Sequence, residues 1–281
     1  MSESVKNQCS LLGEHPRQSL FAEWLSCEDI PIVDNKIHRK LIEVSGMRNH
    51  AIEQIAEWII KHHIADKKLS RLKRKKEEIL KKYGLEEYLK QQQMLPVAEK
   101  TMRGNGAEVV LAEYLQESTQ LKNLLYRLQY NPNVNQSMKG DDVLLFNKEN
   151  LRDKVIIGES KFRKTPNKAV VKEITDEFGK KLKLPLSILF VASLLSAKGE
   201  EDLADELEEL NIEVQHGNVP VINVGLLLSN HNTASNVETH LISENPHFVI
   251  LSLGIDNPEE LITKSFALAN EKIIRGIENE D

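Results

Sequence analysis

The stretch GDDVLLFNKENLRDKVIIGESKF, residues 140–162, decides how this chain is read. Val143-Leu144-Leu145-Phe146 is an apolar run of strand length. Asn147 to Lys154 is polar and turn-rich, and Val155-Ile156-Ile157-Gly158 opens a second strand. Antiparallel pairing sets the start of the first strand beside the end of the second. Asp142 and Glu159 then face each other across the pair. The side-chain period of two puts Glu159 and Lys161 on one face and Ser160 on the other. Two carboxylates and an ammonium converge at one end of a sheet.

That set of groups has a specific use. Hard divalent cations such as Mg²⁺, with Mn²⁺ as a substitute, take carboxylate, carbonyl and water oxygens. Asp142 and Glu159 supply the carboxylates, and the Ser160 carbonyl supplies a third oxygen. A metal held there polarises a phosphodiester and lowers the pKa of an attacking water. Lys161 orients that water or neutralises charge developing on the phosphate. A further acid, Glu108, lies on the preceding helix. Glu159-Ser160-Lys161 is the one E-x-K triplet in the chain. D-x-K occurs at Asp34-Asn35-Lys36 and Asp66-Lys67-Lys68, but neither has a helix acid and a strand acid before it. The bland alternative for Glu159 and Lys161 is a solvated ion pair at a strand end.

Outward from the hairpin, the order after residue 107 reads α-β-β-α-α-α-β-β-α, a mixed sheet in an α/β domain. Ala107–Leu128 reads as a long helix preceded by a flexible Arg103-Gly104-Asn105-Gly106. Pro166 opens a helix to about Leu182. Helices follow from Pro185 to Leu195 and from Glu200 to Leu210. Strands follow at Val219–Leu228 and Phe248–Leu253, and a last helix runs from Pro258 to about Ile277. The first hundred residues differ in character. Ile30–Val33 reads as a short edge strand, because Pro31 argues against a central one. From His38 to Lys90 the chain looks helical, with Ile52, Ile55, Ala56, Ile59 and Ile60 at helical spacing. The division expected is a mainly helical region at 1–96, a candidate partner-binding region, and a catalytic domain at 97–281.

Composition narrows the classes. Of 281 residues, 40% are hydrophobic, enough for a substantial core. Lys plus Arg is 37 and Asp plus Glu is 43, a net charge of −6, which excludes a globally basic DNA-coating protein but not an enzyme with a local basic surface. Two cysteines, Cys9 and Cys27, cannot form a disulfide framework. No apolar stretch reaches the roughly 18 residues that span a bilayer. The polar start MSESVKNQCS lacks the apolar segment of a signal peptide. A soluble cytoplasmic protein is expected. No H-E-x-x-H and no G-x-x-x-x-G-K-[ST] is present, so neither zinc-protease chemistry nor ATP hydrolysis is expected of this chain.

The order Glu108, Gly140-Asp141-Asp142, Glu159-Ser160-Lys161, then a helix from Pro166, resembles the PD-(D/E)XK nuclease superfamily. The wider segments RGNGAEVVLAEYL, MKGDDVLLF and VIIGESKFRKTPNKAVVKEITDEF resemble HamA, the nuclease family of the Hachiman anti-phage defence system. The resemblance covers roughly residues 100–275. It implies a PD-(D/E)XK nuclease-like mixed sheet flanked by helices and a metal-dependent DNase. It also implies a partner, a superfamily 2 helicase subunit (HamB-like), which restrains the nuclease until infection. Carried over, Glu159 and Lys161 match the E-x-K pair, Asp142 the strand acid and Glu108 the helix acid. The proline-aspartate dipeptide that names the superfamily is absent, since Gly140-Asp141 precedes Asp142. Whether Asp141 or Asp142 is the metal ligand stays open. Asp142 is preferred because it adjoins the strand, whereas Asp141 should point the other way.

DNA needs basic surface. Arg163, Lys164, Lys168 and Lys172 follow the second strand and are the candidates nearest the acids. Lys67–Lys76 is a second candidate; a solvated helix face is its ordinary reading. The competing function is a catalytically inactive nuclease fold acting as a DNA-binding or scaffolding subunit. A restriction-type enzyme with its own sequence specificity is the third.

Overall fold

The computed structural model describes residues 7–278, without the side chains at 80, 85, 86, 89, 90 and 278. The first six residues of the polar start lie outside it. Six strands form one mixed sheet: β1 (Leu25–Asp29), β2 (Ile37–Glu43), β3 (Val143–Phe146), β4 (Val155–Phe162), β5 (Val221–Ser229) and β6 (Phe248–Gly254). Their order is β1-β2-β6-β5-β4-β3. The four inner strands run parallel, and each edge strand pairs antiparallel with its neighbour.

β5 and β6 are buried along their whole length, as strands covered on both faces must be. Alternate residues feed two cores. Ile156, Val224, Leu226 and Leu251 join a core with Ile55, Leu111 and Ile262, which lie on helices Arg48–His63, Glu99–Thr119 and Pro258–Glu278. Ile157, Leu227 and Ile250 join the opposite core with Ile174, Leu207 and Val237, on helices Lys168–Phe178, Glu201–Gln215 and Thr233–His240. The mixed sheet flanked by helices is therefore as expected. Among the described residues, no helix is long and apolar enough to cross a membrane.

Several expectations need correction. Residues 37–43 form β2 rather than helix, pairing parallel with β6. Ile30–Val33 lies beyond β1, tied back by Ile30 N, which donates to His38 O at 3.0 Å, and by a Val33–Lys36 bridge. Arg103–Gly106 is not flexible; it lies within helix Glu99–Thr119. Gly106 is needed there, because a Cβ would stand 2.8 Å from Ile262 Cδ1. Asn105 is buried and bonds His63 Nε2 at 3.0 Å. The same helix stops at Thr119, where Gln120 turns left-handed at φ 63°, and not near Leu128. The helix after Pro166 ends at Phe178, not near Leu182. Thr233–His240, a helix between β5 and β6, went unforeseen. The residues before 97 are helical for the most part, yet β1, β2 and the core around Ile55 belong to the same sheet and core as the rest.

Candidate functional site

β3 stops at Val143, opposite Gly158. β4 continues for four residues beyond that pair, Glu159–Phe162. Asp142 stands one step past the last pair, so in register it lies opposite Glu159, as the hairpin reading expects. The backbone of β4 fixes which groups face this open end. Val155 donates to Pro220 O and Arg163 to Leu228 O, so odd-numbered residues aim their main-chain groups at β5. Even-numbered residues aim theirs at the β3 side, since N–H and C=O of one strand residue point the same way. Ser160 N–H accordingly donates to Asp142 Oδ2 at 2.9 Å, and Ser160 Oγ donates to the same oxygen at 3.0 Å. The Ser160 carbonyl projects toward that edge as well.

Glu108 comes from helix Glu99–Thr119 and is 5% exposed. Both its oxygens accept from Arg127, Nε and Nη2 at 2.9 Å each. Arg127 Nη2 also donates to Asp142 Oδ1 at 2.8 Å. Burial pushes the Glu108 carboxyl up to about 7 against the pull of Arg127, and the charges of Asp142 and Glu159 add to the rise. Glu159 is raised by burial and by Asp142. Lys161 Nζ donates to Glu159 Oε1 at 2.6 Å. Burial works against the Lys161 ammonium, but Glu159 outweighs it and the pKa rises, so the group stays charged at neutral pH.

Asp141 and Asp142 part company. Asp141 is 3% exposed, and its Oδ2 accepts from Leu186 N and Ser187 N at 2.7 and 3.0 Å, just ahead of helix Ile188–Ser196. Its own N–H donates to Ser187 Oγ at 3.0 Å. Asp141 thus ties the strand entry to the helix entry, whereas Asp142 is bonded to Arg127 and Ser160. Gly140 makes the turn at φ 114°, where a side chain would also meet Ser187 Oγ at 2.7 Å.

Arg127 escaped the sequence reading. It sits on a single 3-10 turn, Arg127–Tyr130. The signal was an arginine set in the apolar and aromatic string LLYRLQY, 124–130, since a buried arginine needs anionic partners. Lys183 also went unnoticed. It bonds Glu177, lies 3.9 Å from Asp141 Oδ1 and offsets a little of the rise in the Glu159 pKa.

The donor set suits a hard cation that keeps several waters: two carboxylates, Asp142 and Glu159, and the Ser160 carbonyl. Among the described residues no three His, Cys, Asp or Glu side chains are grouped to hold a metal by themselves. Three of the four basic candidates pair with acids at the surface. Arg163 pairs with Glu173 at 2.8 Å, Lys164 with Glu259 at 3.0 Å, and Lys172 with Asp176. Lys168 is exposed at the start of helix Lys168–Phe178. Exposed pairs of this kind are worth little, so the cations remain available to a phosphate. Lys67–Lys76 is spread over helix Asp66–Arg74 and the start of helix Lys76–Lys82, with Leu72 buried beneath it.

The family model HamA matches residues 19–269. The Hachiman protein HamA of Bacillus cereus is 40% identical over 269 residues, which is 96% of this chain and 97% of that relative.

Proposed function

The chain belongs to the HamA family, and on that premise we propose that it serves Hachiman anti-phage defence as a metal-dependent deoxyribonuclease of the PD-(D/E)XK type. The observation that carries the reading is the convergence of Glu108, Asp142, Glu159 and Lys161 on one open sheet end. Asp142, Glu159 and the Ser160 carbonyl would hold Mg²⁺ or Mn²⁺. When bound, the cation would supply charge to polarise the phosphodiester and acidify a water. Lys161, kept charged by Glu159, neutralises the charge that grows on the phosphate oxygens. Glu159 in turn holds the ammonium at the site. Ser160 N–H and Oγ fix the Asp142 carboxylate from one side and Arg127 fixes it from the other. Arg163, Lys164, Lys168 and Lys172 grip the DNA backbone. A partner helicase, binding the residues before 97, the rest of the surface or both, restrains the activity. A cytoplasmic nuclease without such restraint would attack its own host's DNA.

One observation favours the inactive scaffold instead. Arg127 already neutralises Glu108 and Asp142, which is what a protein needs if no cation ever comes. Cleavage assays with Mg²⁺ decide between the two. Glu159→Gln is nearly isosteric and should abolish cleavage while leaving the melting curve intact. Lys161→Ala should cost about 10²–10³ in rate. A Glu159→Gln/Lys161→Ala double variant that cleaves plasmid at the wild-type rate would remove this site from the chemistry. For the partner, the helicase complex should be silent on intact plasmid and cleave once ATP and DNA with a free end are added.

A further inference from the structure

The segment that carries Arg127 is held in place from several directions. Lys122 and Phe146 exchange both main-chain hydrogen bonds, at 2.9 and 3.1 Å, which staples the segment to the end of β3. Asn123 N donates to Gln116 Oε1 at 3.0 Å, and Gln129 Nε2 donates to Lys61 O at 2.8 Å. The Tyr126 ring lies 4.4 Å from the His62 ring. Arg127 is thus delivered to the acids by the fold, not by a flexible reach.

Its hydrogen bonding is one-sided. Nε and Nη2 serve Glu108 and Asp142, while Nη1 is buried with no hydrogen-bond partner among the described residues. A buried donor left unpaired is costly, so the orientation of the guanidinium is set by the two carboxylates. The arrangement favours the two carboxylates over the arginine itself. Glu108, Asp142 and Glu159 face Arg127 and Lys161 at the sheet end, and Lys183 acts on Glu159 from further off. Asp142 is oriented through both oxygens, by Arg127 on Oδ1 and by Ser160 on Oδ2.

We propose that Arg127 is a positioning residue and resident counter-cation: it holds Asp142 and Glu108 in place before any metal arrives, and its charge keeps divalent-cation affinity low. This rests on the metal-nuclease reading above. A fixed positive charge bonded to Asp142 repels a second cation at close range, and the effect is large where water is scarce. In exchange the Asp142 carboxylate is pre-oriented, so the cation does not have to draw it into place. Affinity and turnover are therefore set against each other by one side chain. A merely structural arginine would lower both when removed.

The test uses the full chain and Mn²⁺ alone as the binding probe, followed by paramagnetic resonance, with cleavage measured separately. Arg127→Met should bind Mn²⁺ about tenfold more tightly and cleave about 10²-fold more slowly, since a misplacement near 1 Å costs about that much. Arg127→Lys keeps the charge but cannot span both carboxylates. Its Mn²⁺ affinity should stay near wild type while turnover recovers only in part. If Arg127→Met does not fold, Arg127→Met with Glu108→Gln restores the local charge balance. That variant should bind Mn²⁺ near the wild-type affinity and still cleave slowly. Unchanged or weaker Mn²⁺ binding by a folded Arg127→Met, or wild-type turnover in either Met variant, would overturn the proposal. A different pattern sinks the metal reading itself: no Mn²⁺ bound by the wild type, or affinity unmoved by Glu159→Gln.

Discussion

At the scale of single residues, the clearest consequence concerns histidine. His63 is buried, donates Nδ1–H to Ile59 O at 2.8 Å and accepts from Asn105 at Nε2. This is a neutral ring, and burial pushes its pKa down to about 4. In the unfolded chain it titrates near the ordinary 6.5. Between those values the unfolded state binds the extra proton, so stability falls as pH drops from 6.5 toward 4. His63→Gln can keep one donor and one acceptor without titrating. It should flatten the acid limb of a stability-against-pH curve by about 2 kcal/mol at about pH 5. An unchanged slope in urea melts at about pH 5 and 7 would mean the ring is not held neutral. The same scale shows what sequence can convey. Period-two alternation puts Asp141 and Asp142 on different sides, and they do diverge, one to a helix entry and one to the acids. Nothing in spacing reports that Arg127 stands between Glu108 and Asp142, because that contact joins a 3-10 turn to a helix and a strand end.

Among the elements, the hairpin was legible because β3 and β4 are apolar runs parted by turn residues. β2 was not. Its sequence IHRKLIE reads as polar, yet His38 and Arg39 are buried, the latter fully and held by Asp29 at 2.6 Å. A buried arginine inverts the usual reading of charge as exposure. Gly104 and Gly106 misled in the other direction: local propensity argues against helix, and packing on Ile262 overrides it. The end of β4 carries a prediction of its own. Arg163 continues the strand by donating to Leu228 O, and Lys164 follows it out to Glu259. Replacing both with Ala should weaken DNA binding and lower the slope of log affinity against log salt by about 0.9 for each phosphate that the protein no longer neutralises. A slope that does not move would place the DNA path elsewhere, with Lys67–Lys76 the next segment to test.

For the whole molecule, the mixed sheet matters more than any boundary near residue 96. β2 lies between β1 and β6, and Leu41 pairs with Leu253. Removing residues 1–96 would expose the β6 edge and uncover the core that Ile55, Ile59 and Trp24 fill. A 97–281 fragment should therefore lack a cooperative melting transition and collect in the insoluble fraction. A soluble fragment with a sharp transition would mean the two parts fold independently. The pairing of β2 with β6 also bears on the order of synthesis. When β2 leaves the ribosome, its partner lies roughly 200 residues ahead, and long-range pairing of this kind is slow to close. Asp142, just before β3, and Glu159 in β4 emerge well before the strand that completes the sheet. A polypeptide whose translation is cut short before residues 248–254 would carry Asp142, Glu159 and Lys161 but no finished sheet to aim them, so the acids stay unassembled until β6 is made.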